Sequence, residues 1–374
     1  MRRRRLIWRA SGGIVVMSLT FSVGAATAAF FSTIRTHKTE FKPLPEWQVA
    51  TINSTSLPVP PTTVPTPAEE GEKLKSLSPY KIDQFINEHP QADIQGIWER
   101  LGITEGAANL FHDRKQFFKT CSGCQSELFE YELDGETGKE VLLRIADNLQ
   151  EACRYLVFKR YADRPANDGW KLLGHIDADF GRYMMPEHYL VVGGGRTWLA
   201  IQVQTLSGTG AAQYEDRLFE IDPRGVHQVL SFTSDGHESS TTDRPDRDFS
   251  ARIINCRRAG GADTVKIEYS VTYTIGEDWG KKKIQWRKKQ IALYKRPPAR
   301  GEFVFDASQS SLSEAELKSV YNWGSLSDED FLRYNYAELA KLAVRKDSEL
   351  KQWLRDFLDY CEETPEKQKL LRLL

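Results

Sequence analysis

The sequence has little net charge, and it lacks the short motifs that mark common catalytic and metal-binding sites. Its 51 lysines and arginines nearly balance 52 aspartates and glutamates, for a formal net charge of −1. This balance argues against binding of nucleic acid or an anionic membrane through the charge of the whole protein. No G-x-S-x-G motif is present, and the histidines at 175, 188, 227 and 237 lack metal-ligand spacing. The sequence therefore predicts no catalytic residue.

A stretch without any charge lies near the N-terminus. Five arginines precede Ala10, and no charged residue occurs from Ser11 to Thr33. Such a run is long enough to cross a bilayer as a helix, with its basic flank in the cytoplasm. Residues 1–40 are therefore predicted to be a membrane anchor that spans residues 11–33, or a signal peptide cleaved after Ala28. The anchor would place the chain on the periplasmic side of the inner membrane, and cleavage would leave it periplasmic or secreted.

Prolines cluster in residues 41–76, as in the segment SLPVPPTTVPTP. Proline removes a backbone donor and favours extended polyproline II structure, which predicts a semi-rigid linker. Residues 77–120 are predicted to be a short helical lead-in, because Ile82 and Ile86 share one helix face and Ile97 and Trp98 another. A β-rich domain over 121–300 and a helical segment over 301–374, packed on that domain, complete the predicted organisation.

Alternation of apolar and polar residues runs through the central part of the chain. From Val265 to Ile275 every odd position is apolar and every even position is polar, which is typical of a strand with one buried side. Glycine-rich turns separate the segments, with no gaps of helix length. The fold class is therefore mainly β, an antiparallel sandwich or a partial propeller-like sheet array. Strands are predicted at 127–133, 140–145, 154–159, 170–176, 188–192, 197–205, 217–221, 227–232, 249–255, 264–275 and 283–294.

Four helix starts are visible in the C-terminal segment. Ser313, Ser327 and Asp347 are N-cap residues before apolar stripes, and Thr364 precedes a proline at the first helical position. Apolar stripes usually pack on a core, so these helices are predicted to cover the β-rich domain. Presentation of a groove to a partner is the alternative.

An acidic turn lies early in the β-rich region. It contains Glu132, Asp134, Glu136 and Glu140. Calcium needs several oxygen ligands from one tight loop, and acids at alternating positions can supply them. The spacing predicts a calcium site, with a solvated acidic hairpin as the alternative; no other cofactor is expected.

Residues 131–145, YELDGETGKEVLLRI, resemble the loop of an FG-GAP or VCBS type of β-propeller repeat. That loop reads D-x-D-x-D-G-x-x-D between two strands. The resemblance implies a calcium-binding turn between neighbouring strands of a propeller blade. Glutamate stands at positions 132, 136 and 140 where the pattern has aspartate, and Thr137 stands where the sharp turn has glycine.

Cys121 and Cys124 form the one C-x-x-C spacing in the chain. Thiols outside the cytoplasm tend to pair, which predicts a disulfide between these two, or between one of them and Cys153. A redox pair would lie at the start of a helix that lowers the thiol pKa. Here the strand-like segment ELFEYEL follows, which favours a structural disulfide.

Two polar segments complete the sequence features. Residues 234–248 are predicted to be a long loop, used either for recognition or as a mobile surface segment. The basic run over 281–289 fits the charged outer face of a strand better than a contact with nucleic acid.

The combination of an anchor, a linker and a β-rich domain without a catalytic motif predicts a function. We expect a membrane-tethered, extracytoplasmic recognition protein that binds an unknown protein or an envelope component, and no nucleic acid. One alternative is an envelope hydrolase with dispersed catalytic residues, and the other is a thiol-redox accessory protein that uses Cys121 and Cys124.

Overall fold

The computed structural model describes residues 7–10, 13–16, 49–50, 78–103, 123–136, 138–147, 152–161, 169–179, 186–208, 210–239, 244–259, 261–275, 284–297, 301–322, 324 and 326–374. The chain divides into two units, Met1–Pro45 and Glu46–Leu374.

In the first unit, strands β1 (Ile7–Ala10) and β2 (Gly13–Val16) form an antiparallel hairpin. Most of the predicted anchor over residues 11–33 lies outside the described residues, and Gly13–Val16 form a strand rather than part of a helix. Among the described residues, no helix combines the length and the apolar character needed to span a bilayer.

Among its described residues, the second unit contains thirteen strands, two of them only two residues long. They are β3 (Val49–Ala50), β4 (Cys124–Tyr131), β5 (Glu140–Asp147), β6 (Ala152–Arg160), β7 (Trp170–Asp179), β8 (Glu187–Gly193), β9 (Arg196–Gly208), β10 (Ala211–Asp222), β11 (Gly225–Glu238), β12 (Asp246–Ala259), β13 (Ala262–Ile275), β14 (Ile284–Arg296) and β15 (Val304–Phe305).

Strands β4–β7 form a four-stranded antiparallel sheet in chain order. Its two central strands, β5 and β6, are buried on both faces. Val141, Leu143 and Ile145 pack against helices α1 (Pro79–Glu88) and α2 (Gln95–Arg100). The opposite face, with Leu142 and Tyr155, shares a core with apolar side chains of β8, β9 and β10. The two sheets therefore pack as a sandwich, which is one of the two forms that the sequence predicts for a mainly β fold.

The remaining strands form a nine-stranded antiparallel sheet in the order β15-β14-β13-β12-β11-β10-β9-β8-β3. Its strand β3 is formed by Val49–Ala50, so the linker predicted over 41–76 contains a sheet edge. The sheet bends until the end of β8 meets β12, where a Cβ on Gly193 would come within 2.3 Å of the Cys256 Cβ. Among the described strands the sheet does not close into a barrel.

Four helices cover the inner side of this bent sheet. They are α3 (Glu314–Val320), α4 (Asp328–Ala343), α5 (Ser348–Tyr360) and α6 (Pro365–Leu371), after a short 3-10 turn at Ala307–Gln309. Their apolar stripes share one core with the odd-numbered residues of β13, so the alternation over Val265–Ile275 is confirmed. The other side of β13 and of its neighbours β11, β12 and β14 carries mostly polar side chains, with Ile291 and Leu293 of β14 as apolar members. We call that side of β11–β14 the outer face.

Candidate functional site

The acidic turn between β4 and β5 converges on a lysine of the neighbouring strand. The Nζ of Lys159 on β6 donates to Asp134 and lies 2.8 Å from Glu136 Oε2 and 3.7 Å from Glu140 Oε1. Desolvation lowers the pKa of Lys159, but its hydrogen bonds to Asp134 and Glu136 outweigh this and raise that pKa above its ordinary value. A protonated ammonium therefore lies among three of the four predicted calcium ligands.

Hydrogen bonds from backbone N–H groups to the carboxylates of Glu140 and Asp134 hold the turn together. Glu140 is buried and accepts from the backbone N–H of Leu133 at 2.7 Å. Burial raises the pKa of the Glu140 carboxyl. In the part of the chain that the structure describes, no group of three or more His, Cys, Asp or Glu residues is arranged to hold a metal ion. Calcium binding by Glu132, Asp134, Glu136 and Glu140 stays a prediction. In the structure, the positive charge beside Asp134, Glu136 and Glu140 is the Lys159 ammonium.

The four cysteines that the structure describes lie in the interior rather than at a reactive surface. Cys124 is buried at the first residue of strand β4, which is not the helix start that a redox pair needs. Cys121 lies outside the described residues, so the predicted Cys121–Cys124 disulfide stays a prediction. Cys153 is a free, buried thiol, which rules out the alternative pairing with Cys121 or Cys124.

A histidine lies in an aromatic cluster at the junction of the two sheets. The Nε2 of His188 on β8 is 2.8 Å from the Tyr131 hydroxyl, and its ring centroid is 4.3 Å from that of Phe129. Burial and the nearby Arg144 guanidinium lower the pKa of His188 to about 4. The imidazole is therefore neutral at physiological pH and belongs to the packing of the junction.

The described part of the polar segment over residues 234–248 is mostly strand, which corrects the prediction of one long loop. Strand β11 continues to Glu238 and β12 begins at Asp246. Four cross-strand partners join them, of which His237–Asp248 and Glu238–Arg247 are two. Gly236 lies under the ring of Phe249, and a Cβ there would come 2.0 Å from that ring. Glycine is therefore required for this pairing and does not end the strand.

Strand register brings polar side chains of the outer face into rows. His237 of β11 lies opposite Asp248 of β12, which lies opposite Thr272 of β13 and, through it, Arg287 of β14. Adjacent strands are about 4.8 Å apart, so one row extends about 14 Å across the sheet. His237, Asp248 and Arg287 are exposed.

The next row contains Asp235, Ser250, Ser270 and Lys289. Asp235, Ser250 and Lys289 are exposed, whereas Ser270 is buried and accepts from the Arg287 Nε at 2.6 Å. Arg252 and Lys289 both contact Glu268, at 2.8 and 3.3 Å. The outer face thus presents cations, carboxylates and hydroxyls at fixed spacings.

One end of the first row contains a chain of hydrogen bonds. His237 Nδ1 is 2.5 Å from Asp248 Oδ1, and His237 Nε2 is 2.8 Å from Ser239 Oγ. The Ser239 N–H donates to the Gly210 carbonyl at 2.7 Å, which fixes the serine backbone against the turn before β10. Two strands and one turn therefore set the positions of the three side chains.

Helical residues anchor the region directly behind this end of the row. Arg247 is buried on the inner side and donates to the Val320 carbonyl at 2.8 Å, near the end of α3. It also contacts Glu238 of β11 at 2.6 Å. Arg244 donates to the Leu326 carbonyl at 2.6 Å. The β11–β12 pair is thus held by the C-terminal helices.

In the sequence, His237, Ser239 and Asp248 are separate members of the polar segment over residues 234–248, and no motif connects them. Their proximity depends on the β11–β12 register, because Asp248 is the cross-strand partner of His237 and Ser239 directly follows the end of β11. The signal that could have found them is the alternation Asp235-x-His237-x-Ser239 facing Asp246-x-Asp248-x-Ser250. The predicted basic run contributes Arg287 and Lys289 to the outer face, while Ile284 and Trp286 pack against the inner core.

Comparisons with families of proteins, with curated proteins and with solved structures found nothing that matches this chain.

Proposed function

We propose that this protein is a membrane-tethered, extracytoplasmic recognition module and that the outer face of β11–β14 contacts its partner. The observation that carries this proposal is the pair of in-register polar rows on an exposed sheet face. Exposed polar groups at fixed positions on a rigid scaffold supply donors and acceptors, and the backbone that carries them needs no ordering when the partner binds.

The chemistry of the face favours a polar partner, such as a protein or a glycan of the envelope. Charges of both signs alternate with hydroxyls, so selectivity would come from hydrogen-bond geometry rather than from a single field of charge. The inner side of the same strands is packed against helices, which keeps the face from deforming.

Site-specific crosslinking tests this assignment. A photoreactive amino acid in place of Arg287 should crosslink one envelope component in intact cells. The same residue in place of Lys318, 70% exposed on α3, should not. Combined substitution Arg287→Glu and Lys289→Glu should abolish a crosslink formed from position 250. Equal crosslinking from 287 and 318 would argue against the outer face as the recognition surface.

The tether has its own test. Carbonate extraction of membranes should retain the full chain if residues 11–33 anchor it, whereas N-terminal sequencing would find a start after Ala28 if they are cleaved. Peptide mapping without reductant should recover Cys121 and Cys124 in one disulfide-linked fragment. Recovery of the folded protein from the cytoplasm with an intact N-terminus would refute the extracytoplasmic assignment.

A further inference from the structure

We infer that Ser239 is an activated nucleophile and that the outer face hydrolyses carboxylic esters. This activity goes beyond recognition and uses the hydrogen-bond chain Ser239–His237–Asp248. A hydroxyl bonded to one imidazole nitrogen, with a carboxylate on the other nitrogen, is the arrangement that activates serine in nucleophilic catalysis. Both distances, 2.8 and 2.5 Å, are within hydrogen-bond reach.

The arrangement is preorganised by the backbone. His237 and Asp248 are direct cross-strand partners, and the Ser239 N–H is bonded to the Gly210 carbonyl. A Cβ on Gly210 would lie 3.3 Å from the Ser239 Cβ, so the glycine lets the turn approach the serine closely. The nucleophile and its base are therefore held by strands rather than by flexible side-chain contacts alone.

The reaction has two balanced steps. The Ser239 oxygen attacks the ester carbonyl, and its proton moves to His237 Nε2. The carbon–oxygen bond to the alcohol then breaks, and the alcohol leaves with that proton as the acyl group stays on Ser239. Water, deprotonated by His237, attacks the acyl-serine, which releases the carboxylic acid and restores the serine hydroxyl.

The openness of the site indicates the class of substrate. The side chains of His237 and Asp248 are 49% and 58% exposed, so the described residues do not enclose an acyl chain. Such a site suits a short acyl group carried on a large polymer that lies across the sheet. An exposed base also predicts slow turnover, because solvent screens the charges that develop.

Covalent labelling tests the nucleophile. The full-length chain, treated with a fluorophosphonate, should carry the label on Ser239, as located by mass spectrometry of its peptides. Ser239→Ala should remove the label, and His237→Gln should slow labelling at least tenfold. Ser231→Ala, on an exposed serine of β11, should label like wild type. Absence of label on Ser239, or an unchanged rate in His237→Gln, would overturn the inference.

A cysteine in place of the serine provides a measurement that folding defects do not imitate. In Ser239→Cys, iodoacetamide should alkylate the new thiol at pH 7 about tenfold faster than the thiol of Ser231→Cys, because a neighbouring imidazolium lowers a thiol pKa. Burial raises the pKa of Cys153, Cys256 and Cys361 to about 12, so these thiols react little. Equal rates in the two variants would overturn the inference.

Asp248 is a positioning residue, because it acts through His237. The carboxylates of Asp248 on β12 and Asp235 on β11 both interact with the imidazole. Asp248→Asn, made in the Ser239→Cys variant, should shift the pH at which alkylation is half-maximal toward the value for Ser231→Cys. An unchanged pH would count against a role of Asp248 in activating Ser239 through His237. These measurements require no binding partner, so they can fail while the crosslinking from position 287 succeeds, or the reverse.

Discussion

His188 has to stay neutral to keep its place between the two sheets. Its pKa is lowered to about 4 from 6.5 by burial and by Arg144. As the pH falls, His188 is protonated in the unfolded chain before it is protonated in the folded protein. The free energy of unfolding is therefore highest above pH 6.5, and it decreases as the pH falls toward 4. We expect the free energy of unfolding to fall by about 3 kcal/mol over this interval. Chemical denaturation at a series of pH values measures it.

The variant His188→Gln isolates this effect. Glutamine can keep a hydrogen bond to the Tyr131 hydroxyl but does not titrate, so the loss of stability between pH 6.5 and 4 should become smaller by the same amount. His227→Gln replaces an exposed histidine of β11. This variant should lose as much free energy of unfolding between pH 6.5 and 4 as wild type does. If His188→Gln and wild type lose stability in parallel, another group is responsible.

Lys159 decides whether the acidic turn can take calcium. Its ammonium lies among Asp134, Glu136 and Glu140, so we expect 1 mM calcium to leave the melting temperature of wild type unchanged. Lys159→Gln should melt lower without calcium, because the carboxylates repel one another, and should regain several degrees when calcium is added. Lys139→Gln, on an exposed lysine bound to Glu130, is the matched control. Calcium stabilisation of wild type would support the calcium site predicted from the sequence.

The acids of this turn could be read from the sequence, but their partner could not. Glu132, Asp134 and Glu136 are close together because the turn is local. Lys159 comes from β6, and its place beside the turn follows from the pairing of Glu140 with Lys159 across β5 and β6. A single lysine inside an apolar strand segment gives no sign of which carboxylates it will meet.

Among the elements, the β11–β12 pair depends on the helices through Arg247. Arg247→Met would leave Glu238 and the Val320 carbonyl without this donor. We expect a loss of about 3 kcal/mol in the free energy of unfolding, as when one partner of a buried ion pair is removed. Arg252→Met, on the same strand with a side chain 57% exposed, should cost less than about 1 kcal/mol. Equal losses in urea unfolding would contradict the assigned contact.

Helix starts were predictable because capping is local. Ser313, Ser327, Asp347 and Thr364 each accept a hydrogen bond from the backbone N–H three residues later. Each pattern lies within four residues, so tertiary contacts did not override it.

Strand ends were harder to predict for a physical reason. All eleven predicted strands occur as β4–β14, but β11 extends six residues beyond its predicted end at Phe232. The additional residues are polar and include Gly236, which favours a turn when read locally. Their pairing with β12 and the Phe249 ring over Gly236 outweigh that preference. The outer-face rows were therefore invisible before the register was known.

For the whole molecule, the sequence predicted the class of fold and not the division of its strands. Alternation identified the strands, and the capping residues identified the helical tail. The strands divide into a four-stranded and a nine-stranded sheet. This division depends on which sheet faces are covered by helices or by the other sheet. That β5 is buried on both faces could be suspected from VLLRIA, but the exposure of the outer face depends on how far the four-stranded sheet extends over its neighbour.

The order of strands in the larger sheet has a consequence for folding during synthesis. Strands β8–β15 lie in the sheet in chain order, so each strand finds its partner when the next strand emerges from the ribosome. The apolar side of β13 nevertheless stays uncovered until residues 301–374 arrive. Completion of this core therefore waits for residues 301–374, and a holding chaperone would have that interval in which to bind the half-covered sheet.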